Sequence, residues 1–177
     1  EELLLLELRL MQQADARSEG VEPVQHETAG PLLADLRSAI PFELTDDQRR
    51  AIDEVLGIMA ADSCANHLVL GDVGTGKTIV AACALVAAAD TGCQALLMAP
   101  TEVLAQQHAK SLGELFDAIG IRWALLTGST PSLEKESICE QLADGGLQVC
   151  IGTHALLEPT VQPLRCSLVV IDEQQRF

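Results

Sequence analysis

Apolar and polar positions along this chain follow two rhythms. Short, nearly continuous apolar runs at residues 67–70, 94–98, 122–126, 148–151 and 167–171 predict strands. Longer stretches with helical spacing lie between them, at 77–90, 102–118 and 132–143. Continuous apolar strands suit a parallel sheet covered on both faces. Right-handed crossovers then bring the loops that follow the strands to one edge. The predicted class is α/β, a three-layer sandwich around a mostly parallel central sheet. Its carboxyl edge collects Gly71–Thr78, Ala99–Glu102, Thr127–Ser129, Gly152–His154 and Asp172–Gln175, and ligands bind at such edges.

The leading forty residues read differently. A leucine-rich helix is expected over 3–17, then a linker over 18–30 carrying Gly20, Pro23 and Gly30. Pro31 opens a short helical segment, Leu32 to Ile40, which Pro41 breaks. The expected division is a helical linker over 1–40 and a sheet domain over 41–177. Within the latter, Thr45 and Gln48 have capping-box spacing at the start of a helix whose Gln48, Ile52, Val55 and Met59 share one side.

Composition narrows the class. A chain of 177 residues that is 48% hydrophobic can build one sizeable core. No window reads as a membrane span, and the start lacks the basic leader of a signal peptide, so the expected compartment is the cytoplasm. Six cysteines show no CxxC pair and mostly sit in apolar runs, which predicts reduced core thiols rather than disulfides or metal ligands. A net charge of −15 repels nucleic acid overall, so any such contact must be local or come from another part of the protein.

The loops carry the chemistry. Residues 71–78 read GDVGTGKT, a complete phosphate-binding loop ahead of an alanine-rich helix. Gly71, Asp72, Val73, Gly74, Thr75 and Gly76 form the cradle, Lys77 reaches the β and γ phosphates, and Thr78 offers a hydroxyl to magnesium. Asp172 and Glu173 follow an apolar run. Asp172 is expected to hold magnesium and Glu173 to orient and deprotonate the attacking water. Together these imply a nucleoside triphosphatase using ATP and Mg2+. Two readings of Phe42, Thr45 and Gln48 stand open: an amide that reads adenine with Phe42 stacked nearby, or a plain helix cap. Thr101, Glu102, Thr127, Gly128, Ser129, Thr153 and His154 suit either contacts to a nucleic-acid backbone or ordinary capping. His108, in mid-helix, reads as a surface or half-buried residue, Trp123 as core, and Arg176 as a residue that couples the acidic pair to neighbouring groups or as a simple salt-bridge former.

In order and number these motifs resemble the core of a superfamily 2 helicase. The resemblance rests on Phe42–Thr45 with Gln48, Gly71–Thr78, Ala99–His108, Leu126–Ser129, Gly152–Leu156 and Asp172–Phe177, and it runs from about residue 31 to the end. It lies nearer the bacterial branch-migrating DNA helicases than the transcription-repair coupling translocases. It implies a RecA-like P-loop fold for 41–177, the first of two motor domains, cut short at its C-terminal end. Residues 1–40 then end the linker from a wedge domain. It further implies ATP-driven remodelling of branched DNA: forks, Holliday junctions, D-loops and R-loops. A monomer at the nucleoid, with a single-stranded DNA-binding protein as partner, belongs to the same implication. Gln48 becomes the adenine reader, and Lys77, Thr78, Asp172 and Glu173 carry hydrolysis. Gln175 stands where the family usually has a histidine thought to couple hydrolysis to DNA movement; glutamine keeps a donor and an acceptor but cannot become cationic. Without a second lobe and wedge, such a piece is not expected to unwind DNA. The alternatives are another superfamily 2 ATPase, such as an RNA helicase, and a nucleotide-binding module.

Overall fold

The computed structural model describes residues 22–72 and 74–176, so the helix expected over 3–17 lies outside the described residues. Its elements are α1 (Pro31–Ala39), α2 (Asp46–Met59), α3 (Lys77–Asp90), β1 (Gln94–Met98), α4 (Glu102–Ala118), β2 (Trp123–Leu126), α5 (Ser132–Ala143), β3 (Val149–Gly152) and β4 (Cys166–Ile171). Short 3-10 turns follow at His154–Leu157 and Gln174–Arg176.

All pairings are parallel, in the order β2-β3-β1-β4. The register aligns Leu126 with Gly152, Gly152 with Met98, and Met98 with Ile171. The four strands therefore end level, and their loops leave one edge side by side at roughly 4.8 Å spacing. Strand alternation splits the core into two layers. Ala95, Leu97, Val149, Ile151, Leu168 and Val170 face the side covered by α1 to α4. Leu96, Met98, Leu126 and Cys150 face α5, which contributes Ile138 and Leu142. This is the expected three-layer sandwich. The second cover stops short of β4, where Val169 and Ile171 stay exposed.

Pro31 opens α1, and the Asp90 carboxylate accepts the Leu32 and Leu33 N–H groups at 3.0 and 2.9 Å. Leu33 and Leu36 are buried in the same cluster as α2 and α3. Upstream, His26 holds the Met59 carbonyl and the Ser167 hydroxyl. Residues 26–40 are thus packed onto the sheet domain.

Among the described residues one expected strand does not form. Residues 67–70 form no strand, and Leu68 and Leu70 are exposed. An apolar run becomes a strand only when a neighbour completes its ladder of hydrogen bonds. Among the described residues the sheet ends at β4, with no pairing to 67–70.

Candidate functional site

Chain geometry brings the phosphate loop to the same edge as the strand ends. Only Thr91 to Cys93 separate α3 from the start of β1, so α3 runs antiparallel to the strands. Fourteen residues of helix rise about 21 Å, which returns its N-terminus to the carboxyl edge. There Gly74 and Gly76 adopt φ of +85° and +82°. Thr75 closes the turn, its N–H and hydroxyl both donating to the Asp72 carbonyl. Lys77 Nζ donates to the carbonyls of Gly71 at 2.6 Å and Asp72 at 2.9 Å. No side chain caps α3. An uncapped helix start beside an ammonium group is a ready anion site. Val73 lies outside the described residues.

Gln48 belongs to this loop as well as to α2. The capping box is formed in full: Thr45 Oγ1 accepts the Gln48 N–H, and Gln48 Oε1 accepts the Thr45 N–H at 2.9 Å. The remaining end of the carboxamide, Nε2, donates to the Thr75 carbonyl at 2.9 Å. Phe42 stands exposed just upstream.

The acidic pair is held by three elements. The Asp172 N–H extends the β1–β4 ladder by donating to the Met98 carbonyl at 2.9 Å. Its Oδ1 accepts the Glu173 N–H at 3.0 Å, and its Oδ2 lies 2.7 Å from Nε2 of His108 on α4. Glu173 adopts a φ of +49°, a left-handed conformation that costs a non-glycine residue about 1 kcal/mol. Its carboxylate pairs with the Arg176 guanidinium, the ion-pair reading of Arg176. Gln175 sits in the turn between them, its side chain outside the described residues.

His108 is the residue that reading the chain missed. It is 9% exposed rather than on the surface. A signal was available: Ala105, Leu112 and Phe116, on the buried face of α4, stand at helical spacing from it. A histidine on such a face needs a polar partner, and the turn after β4 supplies one.

The other loops divide into exposed and inward groups. Thr101 caps α4 by accepting the Leu104 N–H. Glu102 clamps the next loop, accepting from the Ser129 N–H at 2.9 Å and the Ser129 hydroxyl at 2.8 Å. Gly128, Ser129 and His154 are exposed, whereas Thr127 and Thr153 are buried. Thr153 accepts the Ala155 N–H and so caps its own short turn. Trp123 is half-buried against α4, edge-on to Phe116, and donates to Asp117.

A phosphate loop, an Asp-Glu turn and three further loops on one edge of a parallel sheet make a helicase arrangement, and the DEAD/DEAH box helicase model matches residues 45–177. The chain belongs to the DEAD/DEAH box helicase family. Among curated relatives, the ATP-dependent DNA helicase RecG of Synechocystis sp. is 42% identical over all of this chain and 21% of the relative. RecG of Bacillus subtilis is 40% identical over all of this chain and 26% of the relative. The chain thus spans about a quarter of the length of the curated relatives it matches. A solved RecG structure bound to a three-way DNA junction superposes with a TM-score of 0.84, at 38% identity, over 94% of this chain and 23% of that one.

The family implies nucleotide use, and the loop fits a polyphosphate through Lys77 and the uncapped α3. Among the described residues no three His, Cys, Asp or Glu side chains converge on a metal-sized site. A magnesium ion shared with phosphates needs only one or two protein oxygens, and Thr78 and Asp172 are of the right type. Among the described residues no helix is long and apolar enough to cross a membrane.

Proposed function

We propose that this chain is the first motor lobe of a RecG-type helicase, a branch-migrating motor driven by ATP hydrolysis. Its DNA would be branched: stalled forks, Holliday junctions, D-loops and R-loops, in repair and recombination at the nucleoid. The observation that carries the reading is that one sheet edge bears the phosphate loop, the Asp172–Glu173 turn and a row of small polar loops. The close likeness to a RecG held on a three-way junction supports the choice of DNA.

Each residue has a chemical task. Lys77 gives up the Gly71 and Asp72 carbonyls and donates to the β and γ phosphates, while the first N–H groups of α3 bind oxygens that carry negative charge. Gln48 holds the loop through Thr75 and has one N–H left for an adenine edge, on which the exposed Phe42 would stack. Thr78 and Asp172 would hold Mg2+, which when bound offsets the triphosphate charge. Glu173 orients the attacking water and takes its proton. Thr101, Gly128, Ser129 and His154 present hydroxyls, N–H groups and an imidazole to the DNA backbone. Gln175 lies between the acidic pair and Arg176, where it couples hydrolysis to DNA position. The lobe works as a monomer and moves DNA only with a second lobe that changes its angle during the ATP cycle. The rest of that larger protein would supply basic surface to offset this segment's net charge of −15, and a single-stranded DNA-binding protein would be a partner.

The test is ATP hydrolysis by the full-length protein with forked DNA, linear duplex or RNA added. Stimulation by forked DNA above the other two, abolished by Lys77→Ala with thermal unfolding unchanged, is expected. Equal stimulation by RNA, or activity that survives Lys77→Ala, would overturn the reading.

A further inference from the structure

The His108–Asp172 contact joins elements 64 positions apart and is part-buried, with side-chain exposures of 11% and 27%. We propose that His108 is a positioning residue for Asp172, fixing from α4 the carboxylate that would hold the metal. The inference rests on the ATPase reading of Asp172 given above.

An ionised carboxylate only accepts, so Nε2 of His108 carries the proton in this bond. The second oxygen, Oδ1, is held by the Glu173 N–H at 3.0 Å. Two donors from different elements therefore grip the two oxygens and fix the side-chain torsions. Each oxygen keeps a further lone pair, enough to accept from waters around a magnesium ion or to bind it directly. A carboxylate already oriented gives up little freedom when the metal arrives, and partners outside the ligand shell typically change metal affinity by about 10- to 100-fold. The ring lies on the buried face of α4, with Ala105 and Leu112 one turn away on either side, and the residue is 9% exposed. His108 also sits two turns along α4 from Thr101 and Glu102, so the helix that borders the proposed DNA loops is the one that holds the carboxylate.

The experiment compares His108→Phe, which keeps a ring and loses the donor, with His108→Gln, whose amide nitrogen has similar reach, in the full-length protein. Binding of a fluorescent, non-hydrolysable ATP analogue is titrated at equilibrium with and without Mg2+. His108→Phe is expected to raise the half-saturating Mg2+ about tenfold, with metal-free nucleotide affinity unchanged. His108→Gln should return it to within about twofold of the unaltered protein. Thermal unfolding of each variant establishes that it is folded; if the ring exchange fails that check, His108→Asn, too short to reach, takes its place with the same expected Mg2+ shift. An unmoved Mg2+ requirement in the donor-less variant, or an equal shift in the glutamine variant, overturns the proposal while leaving the ATPase reading intact. Nucleotide binding that survives Lys77→Ala overturns that reading and this proposal with it.

Discussion

The side-chain amide of Gln48 donates to the backbone carbonyl of Thr75 across 27 positions of sequence, while its oxygen completes the cap of α2. One side chain thus ties a helix start to the phosphate loop. The approach is so close that a Cβ at Gly76 would lie 2.2 Å from Gln48 Nε2, and Gly76 also holds a φ of +82°. Gln48→Glu separates the two tasks. Glutamate still accepts the Thr45 N–H, so α2 keeps its cap. It cannot donate to Thr75, and it sets a carboxylate beside a carbonyl. Loss of the Thr75 bond should lower folding stability by about 1 kcal/mol, while nucleotide affinity falls about tenfold, roughly 1.4 kcal/mol, because glutamate also lacks the N–H proposed to read adenine. Equilibrium nucleotide titration beside thermal unfolding reads both effects.

Two glycines should respond with opposite signs to the same substitution. Gly152 ends β3, and a Cβ there would meet the Leu126 carbonyl oxygen at 2.2 Å. That atom is backbone in a paired strand and cannot step aside, so Gly152→Ala should cost about 2 kcal/mol or more. Gly57 lies near the end of α2, exposed, with nothing within 4 Å of an added Cβ. Gly57→Ala should stabilise by about 0.5–1 kcal/mol through helix propensity. Urea unfolding of the two variants decides the matter, and equal signs would refute the packing argument.

The chain showed its helices better than its sheet, for a physical reason. α3, α4 and α5 run over the predicted 77–90, 102–118 and 132–143 because their signals are local: a glycine loop before Lys77, a threonine cap at Thr101, a proline before Ser132. Four strands follow the apolar runs to within a residue or so. The fifth run, 67–70, has the same composition but pairs with no strand among the described residues, and pairing is a property of distant segments. The phosphate loop and acidic pair were legible as motifs with fixed spacing. His108 was not, because its role depends on where β4 ends beside α4. The packing of Leu33 and Leu36 was equally hidden, since Asp90, almost sixty positions away, fixes the start of α1.

Glu102 links two of the loops proposed to meet DNA. Its oxygens accept from both the N–H and the hydroxyl of Ser129, which leaves Gly128 exposed between them. Glu102→Ala removes both acceptors and frees the loop. Glu102→Gln keeps a carbonyl for the N–H and an amide that donates to the hydroxyl. In the full-length protein the alanine variant should need about three- to tenfold more forked DNA for half-maximal ATPase stimulation, the equivalent of about 1 kcal/mol. The glutamine variant should stay near the parent. A DNA-concentration series for each variant measures this, and identical curves for the alanine variant and the parent would separate Glu102 from DNA binding.

The buried thiols set how stability depends on alkaline pH. Burial pushes Cys150 up to about 12, with Cys139 adding to the effect. Burial likewise pushes Cys83 up to about 11, against the opposing pull of Arg37. In the unfolded chain both would ionise near pH 9, so above that pH the unfolded state holds fewer protons than the folded one. Stability is then lost as pH rises from about 9 toward 11 and 12, and is fully present below 9. Thermal unfolding between pH 8 and 11 should show this decline, and Cys83→Ala with Cys150→Ala should flatten it at the cost of some packing. Because only thiolates react readily, iodoacetamide at pH 8 should label both cysteines in denaturant and neither in the folded protein. Mass spectrometry after a short pulse checks the count, and rapid labelling of Cys150 in the folded state would contradict its placement within β3.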